Sequence, residues 1–198
     1  MGLLGKVFGN MGRRNTLGKT SELLDEDFYW SIIAESLQKT DNPNDQERYL
    51  IHRIQKLTPK EIIGFRLRTD KLLNECYTPA MWCAGYIMND GCSDDGFEFF
   101  RNWVISRGKE VYYRAKGNPD TLVSEIDEEL EGYDFEGFWY VADKAFKYRT
   151  GKELEEFIDD GNDQTGGASV EMELTWEEGN PDSMRQICPE LFAQFWNE

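Results

Sequence analysis

The sequence predicts a mainly α protein: a single compact multi-helix domain with at most one short strand segment near 170–176. Two observations carry this expectation. Helix starts are written out repeatedly as a capping residue followed by proline, at Asn42-Pro43, Thr58-Pro59, Thr78-Pro79 and Asn180-Pro181. Proline suits the first helical position because it lacks only a donor that would be unpaired there. Between these starts, apolar residues recur at three- and four-residue spacing, the period of a helix with one buried face.

In chain order, Asp27 is expected to cap a first helix whose Phe28, Ile32, Ile33 and Leu37 form one stripe. A second helix starts at Asn42-Pro43 and turns Leu50, Ile54 and Leu57 inward. Thr58-Pro59-Lys60-Glu61 is a capping box with proline in the first turn, opening a helix through Phe65, Leu72 and Cys76. Thr78-Pro79 opens the next, through Met81, Trp82 and Tyr86. The glycine-rich break at 89–96 precedes a helix from Phe97 to Ser106, stopped by Gly108. Val111, Tyr112 and Tyr113 read as extended, residues 119–131 as an acidic helix with Leu122, Ile126 and Leu130 inward. Phe138, Val141, Ala142, Ala145 and Phe146 make another stripe, followed by a weaker acidic helix through Leu154, Phe157 and Ile158. Residues 161–167 read as a loop, and 170–176 alternate like a strand but show no partner for one. A last helical stretch, interrupted at Cys188-Pro189, carries Leu191, Phe192, Phe195 and Trp196. The expected organisation is a mobile basic leader at 1–24, a helical core domain at 25–160, an acidic loop at 161–180, and a C-terminal helix at 181–198 packing on the core.

Charge is uneven along the 198 residues. The net charge is −16, yet residues 1–20 carry four bases and no acid, whereas residues 118–198 carry 22 acids against five bases. Such a chain repels nucleic acid, whose binding rests on neutralising phosphates. It suits instead a solvated face or a surface matched to a basic protein. No apolar run reaches transmembrane length, and no signal-peptide pattern occurs, so a cytoplasmic protein without stable membrane insertion is expected. Leu3, Leu4, Val7, Phe8 and Met11, followed by Arg13 and Arg14, allow at most a weak surface contact by the leader. Lys6 stands where a myristoylation motif has Ser or Thr.

Cys76, Cys83, Cys92 and Cys188 contain no closely spaced pair, and His52, the sole histidine, falls on a polar helical step. Zinc and histidine-dependent catalysis are therefore not expected, and the thiols read as reduced and mostly buried. Phosphate loops, the nucleophile elbow and the calcium loop are absent as motifs. No metal and no cofactor are assigned.

The densest constellation of chemical groups is Trp82, Tyr86, Cys92, Ser93, Asp94, Asp95, Glu98, Arg101 and Trp103, where two aromatic helices meet at a polar loop. Ser93 is a good N-cap, and Asp94 and Asp95 suit the positive end of the helix that follows. Asp94, Glu98 and Arg101 share a face by spacing, so this helix start is the candidate ligand site. Three carboxylates and an arginine can in principle hold Mg²⁺ or a cationic ligand, or move protons. The simpler account is a capped helix with a salt bridge and core aromatics.

Several of these same residues carry a family resemblance: Trp82, Ala84, Tyr86, Ile87, the loop Gly91-Cys92-Ser93-Asp94-Asp95, Phe97, Phe100, Arg101, Trp103 and Ile105. It extends to Phe28-Tyr29-Trp30, to 57–62, to Tyr140-Val141-Ala142, to 148–151 and to the closing 188–192 and Phe195. In these residues the sequence resembles a bacterial family catalogued as domain of unknown function 4240. The leader lies outside that pattern, and Asn89-Asp90 departs from it. The resemblance implies a soluble, bacterial, mostly helical domain, and it transfers no activity.

The sequence thus points first to an acidic protein-interaction or regulatory module, with an immunity-type protein against a basic toxin as one concrete form. The alternative is a small-ligand or metal-dependent enzyme domain centred on 91–101, although no complete catalytic set is present.

Overall fold

The computed structural model describes residues 17–127, 130, 132–159 and 172–196. Helices α1 (Glu26–Leu37), α2 (Pro43–Ile54), α3 (Pro59–Glu75), α4 (Pro79–Met88), α5 (Asp94–Ser106) and α6 (Lys109–Gly117) follow one another with short turns. A 3-10 segment, Pro119–Glu125, leads through an irregular stretch to α7 (Glu136–Trp139) and α8 (Val141–Thr150). A second 3-10 turn, Glu155–Phe157, precedes α9 (Pro181–Ile187) and α10 (Pro189–Phe195). The protein is mainly α, with no sheet among the described residues. No described helix is long and apolar enough to cross a membrane.

Three of the four capping-residue–proline starts act as written, whereas Asn180 stands before Pro181 of α9 without a side-chain cap bond. Thr58 accepts from the Glu61 amide, and the Glu61 carboxylate accepts from the Thr58 amide at 2.8 Å. Asn42, Thr78 and Ser93 each cap through their side-chain oxygen. At α1 the cap is Asp25 rather than Asp27: Asp25 Oδ1 accepts from the Phe28 amide at 2.9 Å, and Asp27 falls inside the first turn.

α3 lies at the centre, against α8, α5 and α1, while α2 rests on α8. Phe65, Phe97, Phe100, Phe138 and Phe146 are fully buried between these helices. The buried tyrosines keep their hydroxyls paired, Tyr29 with Thr69 at 3.0 Å and Tyr112 with the Leu72 carbonyl at 2.7 Å. Burial of these rings, with the aliphatic side chains packed among them, removes a large apolar area from water.

Four further expectations, about secondary structure, are corrected. Val111, Tyr112 and Tyr113 belong to α6, where Tyr112 faces the core, so the run is helical rather than extended. The acidic helix expected over 119–131 is a 3-10 turn that ends at Glu125, and Ile126 is already extended. The helix expected through Leu154 to Ile158 is one 3-10 turn. Within the expected strand at 170–176, residues 172–176 form none. Their alternation reflects Trp176, which is buried and donates from Nε1 to the Pro79 carbonyl at 2.9 Å, beside an exposed Leu174.

Residues 17–24, assigned to a mobile leader by composition, are docked on the core. Thr20 bridges Ile158 in parallel, and the Leu24 amide donates to the Gly64 carbonyl at 2.9 Å. A Cβ at Gly64 would stand 2.8 Å from the Leu24 nitrogen, so glycine permits this approach. Residues 1–16, the loop 161–167, and 170–171 lie outside the described residues.

The C-terminal pair α9–α10 joins the core through Asp120. This buried carboxylate accepts from the Glu190 amide at 3.1 Å and the Leu191 amide at 2.9 Å, at the start of α10. Asp120→Ala should lower stability by about 1–3 kcal/mol, because it orphans two amides at a buried helix start. Asp182→Ala, at an exposed position of α9, should cost under about 0.5 kcal/mol. Urea unfolding of both variants checks the contrast.

Candidate functional site

The loop between α4 and α5 is held by backbone geometry and one indole. Asn89 ends α4, Asp90 adopts a left-handed conformation at φ 52°, and the Gly91 amide reaches back to the Tyr86 carbonyl at 2.9 Å. Trp82 Nε1 donates to the Cys92 carbonyl at 2.9 Å, and its ring stacks on Phe97 at 4.7 Å. Ser93 Oγ then accepts from the Gly96 amide at 3.1 Å, and α5 begins. Close contact of α4 with α5 depends on Gly85, where a Cβ would meet the Phe100 ring at 2.9 Å.

The charged groups of the constellation do not converge. Asp94 and Asp95 are exposed in the first turn of α5, and Glu98 is half-buried. Arg101 turns the other way. Its side chain is buried, with Nε donating to the Phe97 carbonyl at 3.2 Å and an Nη to the Leu73 carbonyl at 2.8 Å. Its guanidinium lies over Phe97 at 4.5 Å and Tyr77 at 4.9 Å. The anticipated salt bridge with Glu98 is not formed, and among the described residues no carboxylate pairs with Arg101. Burial lowers the pKa of Arg101, against the neighbouring fields of Cys76 and Glu98. Arg101 is therefore a pin that ties the last turn of α3 to the first turns of α5, with ring faces in place of a counter-ion.

Other members of the constellation are dispersed. Cys92 is half-buried, and burial pushes its thiol up to about 12, which keeps it protonated and poorly nucleophilic at neutral pH. Tyr86 packs on Trp176 at 5.1 Å, and its hydroxyl is shifted upward by burial and by the carboxylates of Glu178 and Asp90. Trp103 stacks on Phe100 and meets the edge of Tyr133 at 5.1 Å, so it walls a different region. Among the described residues no group of three His, Cys, Asp or Glu side chains is placed to hold a metal ion.

The structure also assembles a cluster that sequence spacing reveals only by half. Arg66 pairs with Asp70 at 2.8 Å, a visible i,i+4 relation, and with Asp143 of α8 at 2.8 Å, 77 positions away. Trp139 lies under the guanidinium at 4.2 Å. Asp143 Oδ1 is buried without a hydrogen bond, and burial lifts Asp143 from 3.8 to about 6 despite Arg66, with Glu155 adding to the rise. Asp70 is raised for the same reason.

The model of the family described as "Protein of unknown function (DUF4240)" matches residues 24–148, more than half of the chain. That span includes the whole constellation and the Arg66 cluster. No curated protein and no solved structure matches the chain.

Two outcomes test this geometry. Arg101→Lys should destabilise by about 2–3 kcal/mol, since an ammonium cannot serve both carbonyls and both rings. The Asp94→Asn/Asp95→Asn double variant should cost under about 1 kcal/mol, a loss confined to helix-dipole terms. Equal losses in urea unfolding would contradict the assignment of Arg101 as the pin. For Asp143, the folded state holds its proton more tightly than the unfolded chain does. Its contribution to stability therefore grows as pH falls from about 6 towards 3.8 and is absent above that window. Wild type should gain on the order of 1 kcal/mol relative to Asp143→Asn between pH 7 and pH 4.5. Parallel pH profiles would contradict it.

Proposed function

Because the chain belongs to the DUF4240 family, which carries no assigned activity, its role has to be argued from its own surface, and we propose that it is an acidic protein-interaction or regulatory module of the cytoplasm. One observation carries the reading. Across 172–196, Glu173, Glu177, Glu178, Asp182 and Glu190 are all exposed, and the lone base, Arg185, pairs with Asp182. Glu155, Glu156 and Asp159 are exposed as well, near Lys152, whose ammonium lies over the Phe157 ring. A field of one sign steers a basic partner and raises its on-rate at low salt. An immunity-type role, masking a basic toxin, is one form of this reading and rests on the same charge. Free thiols at all four cysteines suit a reducing compartment.

An enzyme site at 91–101 finds less support. Arg101 is committed to backbone carbonyls and ring faces, the Cys92 thiol is held protonated, and Asp94 and Asp95 are exposed to solvent. Replacing Glu155, Glu156, Glu173, Glu177 and Glu178 by Gln should remove a salt-sensitive partner captured from lysate by the wild type, while Asp94→Asn/Asp95→Asn retains it. Capture of the same partner by the five-site variant, with unchanged salt dependence, would refute the acidic-face reading.

A further inference from the structure

We propose that the cleft between the α1–α2 turn and the end of α5 is a binding site for a small neutral molecule presenting an amide edge, a carbonyl beside an N–H. The proposal is independent of the acidic-face reading. The cleft has a volume of about 350 Å³, within the range of small-ligand pockets, and Trp103 and Gln46 contribute to its lining. Leu37 and Pro43 give it apolar wall, and Arg107 stands in its lining with Nε 3.5 Å from Glu125.

The polar chemistry of the floor follows from a closed chain of hydrogen bonds. Ser36 Oγ donates to the Ile33 carbonyl at 2.7 Å, so it accepts from Gln46 Nε2 at 3.0 Å. The second proton of Gln46 Nε2 goes to the Ser106 carbonyl at 3.0 Å, an acceptor that fixes the orientation of the amide. Both donors of Gln46 are thereby spent, and its Oε1 is left as an uncommitted acceptor on a side chain only 4% exposed. Trp103 is 2% exposed, and its indole Nε1–H donates to no group among the described residues. Trp103 and Gln46 both line the cleft, and neither atom is among the buried side-chain atoms that lack a partner.

A buried donor and a buried acceptor in one cleft ask for the complementary pair. An amide edge supplies it: its carbonyl accepts from Trp103 and its N–H donates to Gln46. The floor favours a neutral group, because no ionised side chain belongs to this hydrogen-bond chain and an unpaired charge set against it would be costly. Arg107, already engaged by Glu125, and the exposed Asp41 and Asp127 stand in the lining outside this hydrogen-bond chain.

The test follows the Trp103 indole N–H resonance in ¹⁵N-labelled full-length protein, assigned by its loss in Trp103→Phe and independently by through-bond correlation. The probe is δ-valerolactam, with N-methyl-valerolactam as the analogue that keeps the carbonyl and lacks the donor, and butyrate as the anionic comparison. Valerolactam should shift the Trp103 indole resonance saturably in the millimolar range expected for so few atoms. The N-methyl analogue should bind about tenfold more weakly, because it leaves Gln46 Oε1 unmet. Butyrate should shift it less than the lactam. Absence of a saturable shift would mean that water alone occupies the cleft and would overturn the proposal. Equal binding of the N-methyl analogue, or tighter binding of butyrate, would overturn the assigned ligand class.

Discussion

The packing of α3 on α5 depends on a buried cation that pairs with no carboxylate among the described residues. Arg101 reaches from α5 to the Leu73 carbonyl at the last turn of α3, and it lies against the faces of Phe97 and Tyr77. A guanidinium is taken out of water here only because carbonyl oxygens and ring quadrupoles replace its hydration. Phe97 in turn stacks on Trp82, whose indole holds the Cys92 carbonyl, so the α4–α5 loop takes its shape from the same stack. The sequence element with the most chemical character is in this way largely an architectural one. Asp94 and Asp95, which look like a site beside an arginine, are helix-start carboxylates on the solvent side.

Helix starts were legible in the sequence because they are local. A Thr58 cap, its proline and its Glu61 interact within one turn, and no distant contact decides them. Helix continuation was less legible. Residues 119–131 have helical spacing, but Asp120 is drawn off to cap α10, seventy positions later, and the segment settles as a 3-10 turn. The alternation at 172–176 resembled a strand for the same kind of reason: Trp176 is anchored by the Pro79 carbonyl rather than by a neighbouring strand. At the candidate site, the Ser93 cap could be read from residue type, whereas the inward turn of Arg101 could not. Spacing places Glu98 and Arg101 on one face, and only the packing of α3 shows that a carbonyl competes successfully for the guanidinium. The Arg66–Asp143 pair and the Gln46 chain are long-range contacts with no local signature.

The family span ends at residue 148, yet the core does not. Met184, Leu191 and Phe192 of the last two helices are buried, and α10 is capped by a carboxylate from within the span. The acidic surface that motivates an interaction role thus sits on a segment fastened to the helical core rather than on a loose appendage. Fastening lowers the ordering cost that a flexible acidic tail would meet on binding. The Trp103–Gln46 cleft draws on α1, α2 and α5, so a ligand there and a partner on the acidic residues of 172–190 would engage different elements of the fold.

The most direct test of the Arg101 account is native-state hydrogen exchange on wild type and Arg101→Lys. The account predicts that protection is lost first at the Cys76 and Tyr77 amides in the last turn of α3 and in the first turns of α5, while α2 and α8 keep theirs. Protection that falls evenly over all helices, or does not fall near Leu73 at all, would contradict the claim that this one buried cation holds α3 to α5.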